Sequence, residues 1–153
     1  MRDENQFKNT VEKFTTAVES NDGDALAALF TEDGVYCDGF YGEFVGRVAI
    51  ATMLRDHFWG HAEGFKWEMS NLLSDGTQGY ATYLFSYDST LPEAVGKRVV
   101  FDGIAHFLFK EGLIERYEEI FNTGMAQAQL DFDPLRIKKH LLKRAEQLKS
   151  GKR

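Results

Sequence analysis

Midway along this chain the hydrophobic period changes from helical to extended, and that change limits the fold more than any other feature. Before Gly60, apolar residues recur at helical spacing: Phe7, Val11, Phe14 and Val18 predict an amphipathic helix of about four turns laid on a core. After Gly64 the period is two. Phe65, Trp67, Met69 and Leu73 fall on one face, and Lys66, Glu68 and Ser70 on the other. Further strand patterns run over 80–87, 98–109 and 113–122, with turns at Asp75-Gly76 and Lys110-Glu111-Gly112. Four consecutive strands predict an antiparallel meander. Long strands seldom stay flat, so the sheet is expected to curve strongly, with Gly103 at a bulge or bend inside the longest run.

The segments around the meander complete the outline. Asn21-Asp22-Gly23 ends the first helix, and Asp24 is expected to cap a short second one bearing Leu26, Leu29 and Phe30 on one side. Thr31 to Gly34 reads as a turn, Val35 to Asp38 as a short strand. The stretch Gly39 to Gly46 carries Phe40, Tyr41 and Phe44 among three glycines and reads as a loop bordering a cavity. A third helix is predicted from Arg47 to Phe58, with Ile50, Met53, Leu54, His57 and Phe58 on its buried stripe. Asp133-Pro134 caps a last helix bearing Leu135, Ile137, Leu141, Leu142, Ala145 and Leu148. The expected fold class is α+β: a cone-shaped, strongly curved, mostly antiparallel sheet packed against three N-terminal helices, plus an extra C-terminal helix. Residues 1–132 would form the cone and 133–153 a basic amphipathic helix, within the same domain or at a dimer contact.

Composition sets the class. With 153 residues, 43% of them hydrophobic and 27% charged, the chain is one globular domain able to bury about 68–70% of its unfolded surface. A single cysteine, Cys37, forms no internal bridge. The first residues lack the basic-then-apolar order of a secretory signal, and no apolar run nears the roughly 18 residues of a spanning helix, so a soluble cytoplasmic protein with no membrane partner is expected. The net charge of -6 is unevenly spread: from Pro134 onward eight Lys or Arg face one acid, Glu146, leaving +7 on the tail and -13 on the body. No aromatic residue interleaves those basic charges, so the tail is expected to pack on its own body or on a partner subunit rather than on nucleic acid.

From Phe7 to Asn122 the chain resembles the nuclear-transport-factor-2-like superfamily, particularly its SnoaL-like polyketide cyclase and ketosteroid isomerase branches. The resemblance rests on three stretches in order: Ala25 to Asp38, with Leu29-Phe30-Thr31-Glu32-Asp33-Gly34 at its centre; Gly46-Arg47-Val48-Ala49-Ile50; and Arg116-Tyr117-Glu118-Glu119-Ile120-Phe121-Asn122. It implies a cone with an apolar cavity and, commonly, a homodimer. It does not fix the function, because the superfamily holds isomerases, cyclases, dehydratases and epoxide hydrolases beside transport factors and association domains without chemistry.

Within that resemblance Asp38 occupies the place where steroid isomerases keep their general base. Two readings of it stand: a cavity carboxylate whose pKa is raised by apolar surroundings, or a turn aspartate bonded to backbone amides. The two oxyanion donors of the steroid isomerases, a tyrosine and a protonated aspartate, are replaced by Phe14 and Ala105, neither of which can donate. Tyr36, on the same side of its strand as Asp38, is the nearest substitute. Steroid isomerisation by that route is therefore not expected.

Counting by twos back from Phe121 places Glu119 and Tyr117 on the core face, and a glutamate among aromatics is costly to bury unless protonated or paired. In some SnoaL-like proteins a glutamate of a similar stretch is a cavity acid. A one-residue slip would instead turn Glu118 inward. His57 shares the stripe of Ile50 and Leu54, as a core histidine or a proton carrier at the cavity. His57 and His61 have zinc-ligand spacing, yet Gly60 breaks the helix and no third ligand recurs, so no metal is expected. Asp102 and His106 are assigned to the outer face. Phe14, Trp59, Trp67, Tyr83, Phe85, Tyr117 and Phe121 are the expected ligand-binding aromatics. No phosphate loop or nucleophile elbow is present, and no cofactor is expected.

Two functions follow. One is a small cofactor-free isomerase, cyclase or dehydratase that holds an apolar carbonyl compound, with Asp38 and Glu119 managing protons and Tyr36 or His57 assisting. The other is a non-catalytic module that binds an apolar ligand or a partner protein through the same cavity. A homodimer is expected through the outer sheet face bearing Leu84, Ile104 and Leu108.

Overall fold

The computed structural model describes residues 2–151, so Met1 and the basic residues Lys152 and Arg153 lie outside the described residues. Helix α1 (Arg2–Glu19) is followed by α2 (Gly23–Ala28), strands β1 (Phe30–Asp38) and β2 (Gly42–Val45), and α3 (Arg47–Met53), which continues into a π turn, Leu54–Phe58. Then come β3 (Ala62–Ser74), β4 (Gln78–Ser89), β5 (Arg98–Lys110), β6 (Leu113–Phe121), α4 (Thr123–Gln129) and α5 (Pro134–Lys149).

The six strands form one sheet in the order β2-β1-β6-β5-β4-β3. The β3-to-β6 meander is antiparallel throughout, and β1 adds to β6 in parallel, which brings Asp38 and Glu119 onto neighbouring strands. One sheet face is covered by α1, whose Phe7, Val11, Phe14 and Val18 are all buried as the spacing predicts. The α+β cone is therefore as expected. No helix among the described residues is long and apolar enough to cross a membrane.

Local departures have identifiable causes. Asp22, not Asp24, caps α2, its carboxylate accepting from the Ala25 amide at 3.0 Å. Phe30 begins β1 rather than ending a helix, and Thr31 to Gly34 are absorbed in a register shift between the Phe30–Ile114 and Val35–Arg116 pairs. The glycine-rich loop is largely a hairpin, with β2 paired to β1 from Val35–Val45 to Asp38–Gly42 and a positive φ of 91° at Gly42. In β3, Asn71 takes a φ of 55° at a second register shift, so Leu72 packs inward and Leu73 is 68% exposed. Gly103 is not at a bulge, because the β4–β5 register is unbroken there. Its missing Cβ makes room for the Tyr83 hydroxyl, which would stand 2.7 Å from it. Helix α4 was not legible in a sequence without an apolar stripe; Asn122 caps it, accepting from the Met125 amide.

Helix α5 begins where expected, with Asp133 accepting from the Leu135 amide. Ile137 and Leu141 lie against Gly124 of α4, but none of its residues is fully buried, and Leu135, Leu142 and Leu148 stay half or more exposed. The basic helix thus does not cover the outer sheet face.

Candidate active site

The cone encloses a hollow of about 480 Å³, within the range of small-molecule sites. Asp38 reaches it from the last residue of β1. Its Oδ2 accepts from the Phe40 and Tyr41 amides at 2.8 and 3.0 Å, so the two readings of this aspartate hold together: it caps the turn and faces the cavity. Burial pushes its pKa up to about 6, against the pull of both amides and the His57 charge.

Glu119 points into the same hollow from β6, and Glu118 points to the opposite sheet face, where it meets His106 Nδ1 at 3.2 Å and Arg116 Nε at 3.3 Å. The register therefore did not slip. Glu119 keeps surface toward the cavity yet lies far from bulk water, and this burial, reinforced by the Asp38 charge, pushes its pKa up to about 8. The Tyr117 hydroxyl donates to Glu119 Oε2 at 2.9 Å and partly opposes that rise. Ala105 is the direct cross-strand partner of Glu119.

The π turn carries His57 and Phe58 to the cavity wall. His57 is half-buried at the wall instead of lying in the core, its ring 4.7 Å from Tyr41 and 5.3 Å from Phe44. His61 lines the hollow too, stacked 6.4 Å from Tyr41. Among the described residues no three His, Cys, Asp or Glu side chains gather closely enough to hold a metal ion.

Of the expected aromatic lining, Trp67, Phe85 and Phe121 face the cavity, as does Tyr87. Phe14, Trp59, Tyr83 and Tyr117 stand behind it, a correction that packing explains. Phe14 has no exposure and is wedged among Tyr36, Trp67, Phe107 and Tyr117, with ring centroids 4.7–6.1 Å away. Trp59 spends its Nε1 proton on the Val18 carbonyl at 2.9 Å, tying the π turn to α1. Tyr83 packs edge-on against Trp67, and Tyr117 serves Glu119. Tyr36 is likewise fully buried behind the wall, its hydroxyl without a partner and its pKa driven far up by burial and by the Glu119 and Asp38 charges. It is a neutral phenol near both carboxyls.

Sequence reasoning missed one side of the wall, which Gln127, Leu130, Phe132, Arg136 and His140 close from α4 to α5, with Phe101 adjoining. No periodicity marked α4, and the resemblance ended before it.

The SnoaL-like domain matches residues 11–117, about two thirds of the chain. None of the curated proteins matches the sequence. Solved structures share the fold. A candidate polyketide cyclase of Xanthomonas campestris pv. campestris aligns at 23% identity over 84% of this chain and 98% of its own, with a TM-score of 0.70. A protein of ketosteroid isomerase-like fold from Catenulispora acidiphila, in complex with trimethylamine, aligns at 17% identity over 82% and 97%, with a TM-score of 0.71. An LEH-like epoxide hydrolase of M. tuberculosis aligns at 24% over 88% and 92%, with a TM-score of 0.64. At these identities the likeness speaks for the fold alone. With a domain match that spans most of the cone, and a sheet and helices arranged as in these structures, the chain belongs to the SnoaL-like family of the nuclear-transport-factor-2-like superfamily.

Proposed function

We propose that this protein is a cofactor-free acid–base catalyst of isomerase, cyclase or dehydratase type, acting in the cytoplasm on an apolar carbonyl compound held in the cone. One observation carries the reading: two carboxyl groups face the same apolar hollow with pKa values driven apart, Asp38 to about 6 and Glu119 to about 8. Near pH 7 Asp38 is mostly ionised and Glu119 mostly protonated, which assigns base to the first and acid to the second.

In the chemistry this permits, Asp38 takes a proton from the carbon beside the carbonyl. The electron pair moves onto the carbonyl oxygen, which Glu119 protonates or holds by hydrogen bond. Returning a proton at another carbon isomerises the compound, attack of the enol carbon on a second carbonyl closes a ring, and loss of a β-hydroxyl protonated by Glu119 dehydrates it. Tyr117 holds Glu119 in place through its 2.9 Å hydrogen bond. Trp67 contributes its ring to the cavity wall, while its Nε1 is buried and, among the described residues, has no partner. His57 beside Asp38 tunes the base by its charge.

The test is deuterium uptake at the α-carbon of a bicyclic aryl ketone such as tetralone, followed by NMR. Exchange should exceed the buffer rate, rise through about pH 6 and fall through about pH 8, the two limits belonging to the coupled pair. Asp38→Asn should lose about 10²–10⁴-fold. Exchange that never exceeds buffer, or that survives Asp38→Asn, would overturn the proposal and leave binding as the role of the cavity. We also propose a homodimer through the outer sheet face, where Tyr80, Leu84, Val100, Ile104 and Ile120 remain 42–77% exposed.

A further inference from the structure

The wall contributed by α4 and α5 differs in chemistry from the rest of the hollow. Among the described residues Arg136 is the single permanent cation lining it. Its guanidinium lies 3.9 Å over the Phe132 ring, which fixes it at the cavity edge, and among the described residues it forms no ion pair. One turn further along, His140 lines the same wall and bonds Thr123 Oγ1 at 3.0 Å, holding α5 on α4. Burial and the nearby Lys143 lower the His140 pKa, so the positive charge of this wall rests on Arg136.

Two further facts bear on what this wall would meet. Gln127, 8% exposed and facing the cavity, has a buried Oε1 with no hydrogen-bond partner, which a ligand hydroxyl or amide would satisfy. Glu119 feels the Asp38 charge and the Tyr83 and Tyr117 hydroxyls, and Asp38 feels the Phe40 and Tyr41 amides and the His57 charge. The cavity thus carries two kinds of charged group: the Asp38 and Glu119 carboxyls on β1 and β6, and on α5 the exposed Arg136 guanidinium, with the aromatic wall shared between them. An anionic ligand group is repelled by ionised Asp38 and attracted to Arg136, whose planar fork matches a carboxylate.

We infer that the ligand is an aromatic or polycyclic carboxylic acid, its anion bound by Arg136 and its skeleton laid along the aromatic wall toward Asp38 and Glu119. The inference rests on the acid–base reading of the same cavity and adds the substrate class. Arg136 then decides specificity and sets the direction in which the molecule enters, carbonyl end first. The α4–α5 segment lies beyond the SnoaL-like match, which ends at residue 117.

Calorimetric titration with naphthoate and with its uncharged carboxamide at pH 7 tests this. The intact protein should bind naphthoate at least about tenfold more tightly. Arg136→Gln should bring the two affinities together while changing that for the carboxamide less than about twofold, and Arg144→Gln, on the same helix but off the cavity wall, should keep the preference. Equal binding by the intact protein, a preference that survives Arg136→Gln, one that Arg144→Gln also removes, or no binding of either compound would each overturn the inference. If the preference holds but deuterium exchange is absent, the Arg136 site stands and the catalytic reading falls. If exchange holds without the preference, Arg136 alone falls.

Discussion

Glu119 is the residue on which structure and chemistry disagree most, and the disagreement is measurable. Its folded pKa of about 8 stands above the ordinary 4.5, so the native state binds more protons than the unfolded chain between those values, and stability falls as pH rises through that window. Asp38, raised from 3.8 to about 6, adds a loss of the same sign at lower pH. Glu119→Gln removes the larger contribution and leaves an amide oxygen to accept from Tyr117. Relative to the parent, the variant should be little changed at pH 5 and more stable at pH 9 by a few kcal/mol, at about 1.4 kcal/mol per unit of pKa. Thermal unfolding at the two pH values checks it; a difference that does not grow with pH would place Glu119 in contact with bulk water.

The residue scale is also where sequence reasoning fared unevenly. Glu119 was legible because strand alternation from Phe121 fixes which of two adjacent glutamates turns inward. Tyr83 and Tyr117 had the correct face as well, yet pointing inward is not the same as touching the hollow. Which inward ring lines the cavity depends on how far α1 fills the cone, and Phe14 fills it as far as Tyr36 and Tyr117. That depth has no one-dimensional signature.

Among the elements, the π turn after α3 does most to shape the site, since it delivers both His57 and Phe58 to the wall. It closes at Gly60, where a Cβ would stand 2.0 Å from the Asp56 carbonyl oxygen, a backbone atom that cannot give way without opening the turn. Gly60→Ala should therefore cost about 1–3 kcal/mol in denaturant unfolding. It should also loosen the hydrogen bond from Trp59 Nε1 to Val18, visible as a shift in tryptophan emission. An unchanged midpoint would show that the turn is pliable. The helix itself was legible from its apolar stripe, whereas its change of pitch was not: a π turn is defined by which backbone groups bond, i to i+5, and an apolar stripe carries no mark of that choice.

At the scale of the molecule, the outer face of the sheet and the stripe of α5 leave apolar side chains uncovered, among them Leu84, Ile104 and Ile120 and Leu135, Leu142 and Leu148. The proposed homodimer predicts twice the 17.4 kDa chain mass by light scattering at micromolar concentration, and reversion to one chain mass for Leu84→Lys with Ile104→Lys. A parent protein that already scatters as a monomer would remove the dimer. The two lysines sit on the face opposite the cavity, so ligand binding to folded monomers separates loss of assembly from loss of fold.

What the sequence determined on its own was everything carried by local periodicity: the helix-to-strand order, the meander, the inward face of each strand, and hence the presence of Asp38 and Glu119 on the concave side. Only the tertiary structure decided that β1 lies beside β6, that a hollow stays open before both carboxyls, and that Arg136 of α5 lines it. Those outcomes depend on packing between residues up to a hundred positions apart in the chain, where burial and electrostatic fields are set by neighbours that no local pattern names.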